Sequence, residues 1–585
     1  MDLPTLNDRQ RAAVTSDHNQ ILVIAPAGSG KTHTFTHRVA RLLEEGANPA
    51  RILCVTFTRS AAAEMKDRVR TMTGARHLPD IRTVHSWCAN LLRRFPDAIR
   101  RGRDFTIYDE KDREDLIRVI AEDLDAHPKP WTCKLQTLEK FENVMDEYPR
   151  RLQQGNALDF DQLENLALWL LQHSEEAQQQ LVDHYDHVLI DEFQDTNFAQ
   201  ALIFSQLRPR NLFVVGDPRQ SVYRFRGAKI EIILERAARD DWEVIQLVTN
   251  YRSVPSVVDV ANHIAAGMDG AGVVRPMEAA RVAKVGDIPI DKTGADDYPI
   301  ADDLECELDA GRSPSDFAVL ARQWKHLQPI RRALEAADIP VRYMGKQTDP
   351  WDTNDGRMLA RALRFWVNPT DLNLARWLDG WGVEGNRSGD FREVKVKVYR
   401  ERLSILDVLA EDHSWGRFQR VRRVRAEEIA AGREPDDVRS LLEWLWNLFL
   451  GNPNDGPDAQ LSTIPDDVET VDEWIDWYTV RRILDRVAET ADEEGVVLTT
   501  VHGAKGLEWP VVYLASAVDG VYPTDRKSAD AGDLEEDRRV FYVAATRARD
   551  RLVFSFPTTI DKGWGDPRPA KPTRFLDGYL EGGAL

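Results

Sequence analysis

Two stretches of this chain carry residue types that could handle a phosphate group. Ala25-Pro26-Ala27-Gly28-Ser29-Gly30-Lys31-Thr32 follows the apolar run Ile21-Leu22-Val23-Ile24 and precedes helical spacing through Val39, Leu42 and Leu43. That pattern reads as strand, tight loop, helix. Backbone N–H groups of Ala27, Gly28, Ser29 and Gly30 can converge on phosphate oxygens because the glycines put no side chain in the way, and the helix N-terminus adds a favourable dipole. Lys31 would then reach the terminal phosphates and Thr32 would hold Mg²⁺. An ordinary glycine turn is the competing reading, and a carboxylate on a second strand decides between them. His187-Val188-Leu189-Ile190-Asp191-Glu192-Phe193-Gln194-Asp195-Thr196 supplies two. At the end of an apolar strand they can divide the work, Asp191 toward the Mg²⁺ shell and Glu192 toward an attacking water.

Further strands must bring other groups to the same edge. Ile52-Leu53-Cys54-Val55-Thr56-Phe57-Thr58 ends in hydroxyls and an aromatic, so Thr56, Phe57 and Thr58 suit phosphate contact and base stacking, although a bland strand end reads the same way. Ile81-Arg82-Thr83-Val84-His85-Ser86 repeats the pattern and puts His85 at a strand end. After Leu212-Phe213-Val214-Val215-Gly216-Asp217, Gln220 sits where an amide could sense a γ-phosphate. Tyr223 and Phe225 alternate there with Arg224 and Arg226, which suits a single-strand track with a face for each base and a cation for each phosphate; a core aromatic pair is the alternative. Gln10, in the first helix, could both donate to and accept from an adenine edge.

Composition bounds these readings. A chain of 585 residues exceeds one core and implies several domains. No apolar run approaches the roughly 20 residues of a membrane span and Met1 to Gln20 is polar, so a cytoplasmic, nucleoid-associated protein is expected. Cys54, Cys88, Cys133 and Cys306 form no CxxC pair, which argues against a metal cluster or disulfide framework. The formal net charge of -20 requires any nucleic-acid track to be a minority basic surface on an acidic body, with salt-sensitive binding.

Taken with those stretches, three segments further along make the chain resemble the UvrD/Rep/PcrA group of superfamily 1 DNA helicases. Leu247-Val248-Thr249-Asn250-Tyr251-Arg252-Ser253 is similar to that family's fourth motif, which implies that Tyr251 stacks on adenine and Arg252 reaches the γ-phosphate. Val497 to Trp509, with His502-Gly503-Ala504-Lys505-Gly506-Leu507-Glu508, is similar to the fifth, which implies His502 near DNA and Glu508 on the ribose. Val540 to Arg549 is similar to the sixth and implies an arginine finger at Arg547. Gly216 to Ala228 is closer to the AddA/RecB recombination helicases, but the tail after residue 556 is too short for their nuclease, so none is expected.

The resemblance implies an α/β fold with two RecA-like P-loop core domains, parallel sheets flanked by helices, each carrying a mostly helical insertion. The expected division is 1–94 and 185–250 for the first core, 95–184 for its insertion, 251–379 and 481–585 for the second core, and 380–480 for a compact second insertion. The implied activity is an ATP- and Mg²⁺-dependent helicase or translocase, moving 3′ to 5′ on single-stranded DNA and acting at single-strand/duplex junctions. Lys31, Glu192, Gln220, Arg252 and Arg547 would carry the chemistry. A protein partner that loads it, or belongs to repair or replication, is left open. Two readings compete with it: a translocase that strips proteins with little unwinding, and a nucleotide-gated scaffold. His33 and Pro26 depart from the family pattern beside the adenine and at the loop entrance.

Overall fold

The computed structural model describes residues 6–124, 135–182, 184–224, 227–268, 272–282, 290–293, 299–344, 350–369, 371, 374, 378, 406, 416–430, 437–450, 456–465, 468–483, 494–524, 531–560 and 568–579. Its contacts divide the chain into two units. The first comprises Met1–Thr83, Gln180–Gly345 and Arg486–Leu585, and the second comprises Val84–Gln179 and Lys346–Asp485. No helix among the described residues is long and apolar enough to cross a membrane.

The strands, in chain order, begin with β1 (Gln20–Ile24), β2 (Ile52–Thr56), β3 (Asp80–Thr83), β4 (Thr106–Tyr108), β5 (Ala157–Asp159), β6 (His187–Ile190), β7 (Asn211–Gly216) and β8 (Glu243–Gln246). They continue with β9 (Thr249–Asn250), β10 (Glu278–Ala279), β11 (Ile290–Thr293), β12 (Phe317–Ala321), β13 (Val341–Met344), β14 (Val496–Thr500), β15 (Trp509–Leu514) and β16 (Ala548–Ser555).

The first unit holds two six-stranded sheets, ordered β3-β2-β6-β7-β1-β8 and β11-β16-β15-β12-β14-β13. Every pairing in both is parallel. A parallel sheet is covered by helices on both faces, so its strands are apolar on both sides. β12 shows this directly: Phe317, Val319 and Ala321 join one core, while Ala318 and Leu320 join another on the opposite face. Because all strands of a sheet point one way, the loops leaving their C-terminal ends gather at one edge, and ligands of open α/β sheets bind there. The stretches singled out above, Ala25–Thr32, Asp191–Glu192 and Asp217–Gln220, leave that edge of the first sheet after β1, β6 and β7.

β3 stops at Thr83 and the helix Val84–Arg94 starts at once, so His85 stands in the first turn of that helix and not at a strand end. The second unit is mostly helical, with one short parallel pair, β4 with β5. Its core joins both of its chain segments. Arg364 donates to Asp112 Oδ2 at 2.5 Å, Tyr108 Oη donates to Asp371 at 2.7 Å, and Asn368 Nδ2 donates to Thr106, Gly155 and Asn156 at 2.9 Å each. Trp351, Trp474, Trp477 and Tyr478 pack around one another beneath the helix Asn354–Val367. That amphipathic helix buries its apolar face in this core, which places the helix in the helical unit. On the helix Gly416–Ala430, Arg425 Nε donates to the Trp366 carbonyl at 2.8 Å.

Candidate active site

The loop after β1 is fastened by its carbonyls. Asn250 Nδ2 donates to Ala27 O at 2.8 Å, the Tyr251 N–H to Gly28 O at 2.8 Å, and Gln10 Nε2 to Ser29 O at 3.0 Å. Three successive acceptors are thus engaged; the Ser29 N–H donates to Pro26 O at 3.2 Å, and no backbone bond from the N–H groups of Ala27, Gly28 or Gly30 is formed among the described residues. Gly28 and Gly30 adopt φ of +70° and +82°. A Cβ at Gly28 would lie 2.7 Å from Arg252 Cβ, and one at Gly30 would lie 2.7 Å from Gln10 Nε2, so both conformation and close approach require glycine.

Gln10 is buried, and its amide closes the capping box of the first helix by accepting from the Asn7 N–H at 3.0 Å. The Asn7 side-chain amide in turn donates to Tyr251 Oη at 2.7 Å. Tyr251 is 46% exposed, so its ring remains available as a platform. The His33 ring lies 4.0 Å from that of His37, tilted by 56°; burial, with His37 and Arg68 nearby, lowers its pKa.

Asp191 and Glu192 leave β6 in different electrostatic conditions. Glu192 turns into the left-handed region at φ +51°, and its carboxylate accepts from Lys31 Nζ at 3.0 and 3.2 Å and from Gln194 Nε2 at 2.5 Å. Burial raises its pKa, but Lys31 and Lys505 outweigh it and hold the group at about 2. Asp191, buried beside that charge, is pushed up to about 7 by burial and by Glu192. Two adjacent carboxyls are therefore set far apart, one firmly ionised and one short of positive charge. Thr32 Oγ1, at the start of the helix Lys31–Glu44, makes no hydrogen bond among the described residues. A hydroxyl and a charge-deficient carboxyl are the hard oxygen donors that Mg²⁺ takes, and the residues fit that ion.

The second sheet contributes arginines. Arg547 is 1% exposed, and its Nη2 faces Gln220 Oε1 at 3.4 Å while Nε and Nη1 donate to the carbonyls of Val543 and Leu507 at 2.9 and 3.1 Å. None of these partners is a carboxylate. Burial, then Arg252, lowers its pKa to about 9. Arg252 donates to Glu508 and, at 3.0 Å, to Thr546 O, so these two expected ligand contacts bear on each other. Gln220 Nε2 donates to Asp217 Oδ2 at 2.6 Å, which turns its carbonyl oxygen toward Arg547.

Two groups central to this arrangement carried no role in the sequence reading. Asn250, 1% exposed, clamps Ala27 and accepts from the N–H groups of Arg252 and Ser253 at 2.9 and 2.8 Å. Lys505 Nζ donates to Asp195 Oδ2 at 2.5 Å and to Gln220 O at 2.9 Å, and lies 4.7 Å from the centre of the Tyr223 ring. Their only signal was that they lie within stretches already singled out.

Of the residues expected on a nucleic-acid track, Phe57, Tyr223 and His502 come together. Phe57 stacks on Tyr223 at 5.5 Å and 17°, and His502 lies 6.4 Å from Tyr223. Tyr223 is itself 8% exposed and belongs to the core, so Phe57 and His502 are the more accessible rings. The Thr56 hydroxyl is spent on Thr58 O at 2.9 Å, and Thr58 caps the helix Arg59–Thr73 through the Ala61 N–H. His85 belongs to the helical unit, where it pairs with Glu164 at 2.9 Å. Phe225 and Arg226 lie outside the described residues.

The UvrD/REP helicase N-terminal domain matches residues 6–138 and 132–240, and the UvrD-like helicase C-terminal domain matches residues 469–559. The ATP-dependent DNA helicase UvrD1 of Mycobacterium tuberculosis is 31% identical, with 98% of this chain and 85% of that protein aligned. The ATP-dependent DNA helicase PcrA of Staphylococcus epidermidis is 28% identical over 98% of this chain and 86% of its own length. With both cores built as RecA-like P-loop folds, the chain belongs to the UvrD/REP helicase family.

Proposed function

We propose that this protein is an ATP-hydrolysing DNA helicase that translocates 3′ to 5′ along single-stranded DNA and separates duplex at junctions. The observation that supports this most is Arg547: a buried guanidinium without a carboxylate partner among the described residues, carried by the second core and facing Gln220 of the first. Such a cation is what a γ-phosphate that forms and leaves in each cycle requires, and it ties the nucleotide to both cores.

In this reading the loop amides and Lys31 cradle the phosphates, and Tyr251 takes the adenine face. The ionised Glu192 accepts from the attacking water and aligns it with the γ-phosphorus. Water oxygen bonds to phosphorus as the bond to the β,γ-bridging oxygen breaks, its proton passing by way of Glu192 to the departing phosphate, giving ADP and phosphate, while Lys31, Arg252 and Arg547 offset the charge on the equatorial oxygens. Mg²⁺, held by Thr32 and Asp191, would supply further charge neutralisation at the phosphates. Lys505, touching Asp195, Gln220 and Tyr223 together, links hydrolysis to the aromatic cluster that meets DNA.

The test is ATP turnover with single-stranded DNA, duplex and RNA in parallel at two salt concentrations, followed by strand separation on forks with a 3′ or a 5′ tail. Stimulation by single-stranded DNA that weakens with salt, and unwinding from the 3′ tail, are expected. Glu192→Gln should keep ATP binding and lower turnover by about 10²- to 10⁴-fold. Absence of single-strand stimulation at low salt overturns the proposal; turnover without strand separation replaces unwinding by translocation alone.

A further inference from the structure

On the first core, away from the nucleotide edge, the helices Phe198–Gln206 and Ile230–Ala237 border a cavity of about 710 Å³. Gln20 and Leu212, which line it, stand at the starts of β1 and β7. The nucleotide loop leaves the other end of β1, five residues on, or about 17 Å of strand. The cavity therefore reaches the edge of the sheet opposite the nucleotide loop.

Its lining combines apolar walls with cations. Leu202, Ile232 and Trp242 supply apolar surface, and Phe198 stands at the lining with 65% of its surface exposed. Arg208, Lys229, Arg236 and Arg239 face Glu231 and Glu235, a positive excess on a chain whose formal net charge is -20. Arg239 is paired with Asp241. Arg208 and Lys229 make no ion pair among the described residues, and Arg236 lies over the rings of Phe193 and Trp242, with Nη1 on the Ile232 carbonyl at 3.1 Å.

We propose that this cavity is a docking site for an acidic peptide segment of a partner protein, seated by one large apolar side chain against Phe198, Leu202 and Ile232, with its carboxylates on Arg208, Lys229 and Arg236. The volume falls within the range of a specific small site, and large apolar anchors with a charged rim are how short segments gain affinity. A nucleic-acid strand fits less well, because its evenly spaced phosphates would have to pass Glu231 and Glu235, whereas a peptide can set uncharged residues beside them.

The experiment uses the full chain and fluorescent synthetic peptides: one acidic with a central leucine and phenylalanine, one with those anchors changed to serine, one with its acids changed to lysine, and a labelled oligothymidylate. The acidic anchored peptide is expected to bind, more weakly at high salt, and to protect residues 198–212 and 230–242 from hydrogen exchange. Phe198→Ser and Arg208→Glu should each weaken it about tenfold with ATP turnover unchanged. The proposal is overturned if that peptide does not bind, if the serine or lysine peptide binds equally well, if both variants bind like the parent, or if oligothymidylate alone protects these segments.

Discussion

Asn250→Ala tests whether the nucleotide loop is shaped from outside. The side chain makes three hydrogen bonds to backbone in a place where water does not reach: it donates to Ala27 O and accepts from the N–H groups of Arg252 and Ser253. Each such bond is worth about 1 kcal/mol net, so alanine removes roughly 3 kcal/mol of preference for the observed loop. If that preference organises the loop for phosphate, apparent ATP affinity should fall by up to about 150-fold. The clamp also holds the segment that carries Tyr251 and Arg252, so turnover should fall as well. Asn250→Asp keeps the Oδ1 that accepts from both N–H groups but sets a carboxylate oxygen against Ala27 O, and should lower affinity as well. ATP binding is read by titration with a fluorescent ATP analogue, and turnover by phosphate release, with circular dichroism confirming that the cores are folded. An alanine variant whose ATP affinity stays within about threefold of the parent, less than 1 kcal/mol, would show that the loop holds its shape unaided and refute the argument.

Phe57→Ala removes the accessible ring stacked on Tyr223; single-stranded DNA affinity should fall by about 1–3 kcal/mol per lost base contact, with turnover in the absence of DNA unchanged. Lys505→Met leaves Asp195 buried without its cation and should lower thermal stability by about 3–5 kcal/mol and abolish DNA stimulation. Adding Asp195→Leu should restore stability but not stimulation, and recovery of both would refute a linking role. In the helical unit, burial raises the Asp112 carboxyl, but Arg364 and Arg361 outweigh it and hold it at about 2. The folded value lies below the unfolded one, so this contribution of roughly 2 kcal/mol is complete above about pH 4 and is lost as pH falls toward about 2. Arg364→Met should shift the acid unfolding midpoint upward, followed by tryptophan fluorescence; an unmoved midpoint would sink the assignment.

The nucleotide loop, the paired carboxylates and five of the six strands of the first sheet were readable in the chain because each rests on local pattern: an apolar run, then glycines, hydroxyls or acids where the strand ends. What escaped depends on partners remote in sequence. Asn250 looks like a turn residue until Ala27, 223 positions earlier, is placed under its amide. Lys505 looks like one more basic residue until Asp195, 310 positions away, closes on it. His85 was misread locally, since Ile81 to Val84 has the alternation of a strand, yet the backbone turns helical at Val84. The start of the second helical segment near residue 346 was hidden for a related reason. The helix Asn354–Val367 is amphipathic, and amphipathicity says that one face is covered without saying by what.

The pairing of Arg364 with Asp112 also bears on how the molecule is born. These residues are 252 positions apart, and Tyr108 is 263 from Asp371. At about 5–20 residues per second, the ribosome delivers the second member of each pair roughly 13–50 s after the first. During that interval the early half of the helical unit has left the exit tunnel with Asp112, Tyr108 and Thr106 still waiting for Arg364, Asp371 and Asn368. The nascent chain thus exposes an unfinished core for many seconds, a window in which chaperones and proteases compete for it. Slowing synthesis between residues 179 and 346 should lengthen that window and lower the yield of folded protein.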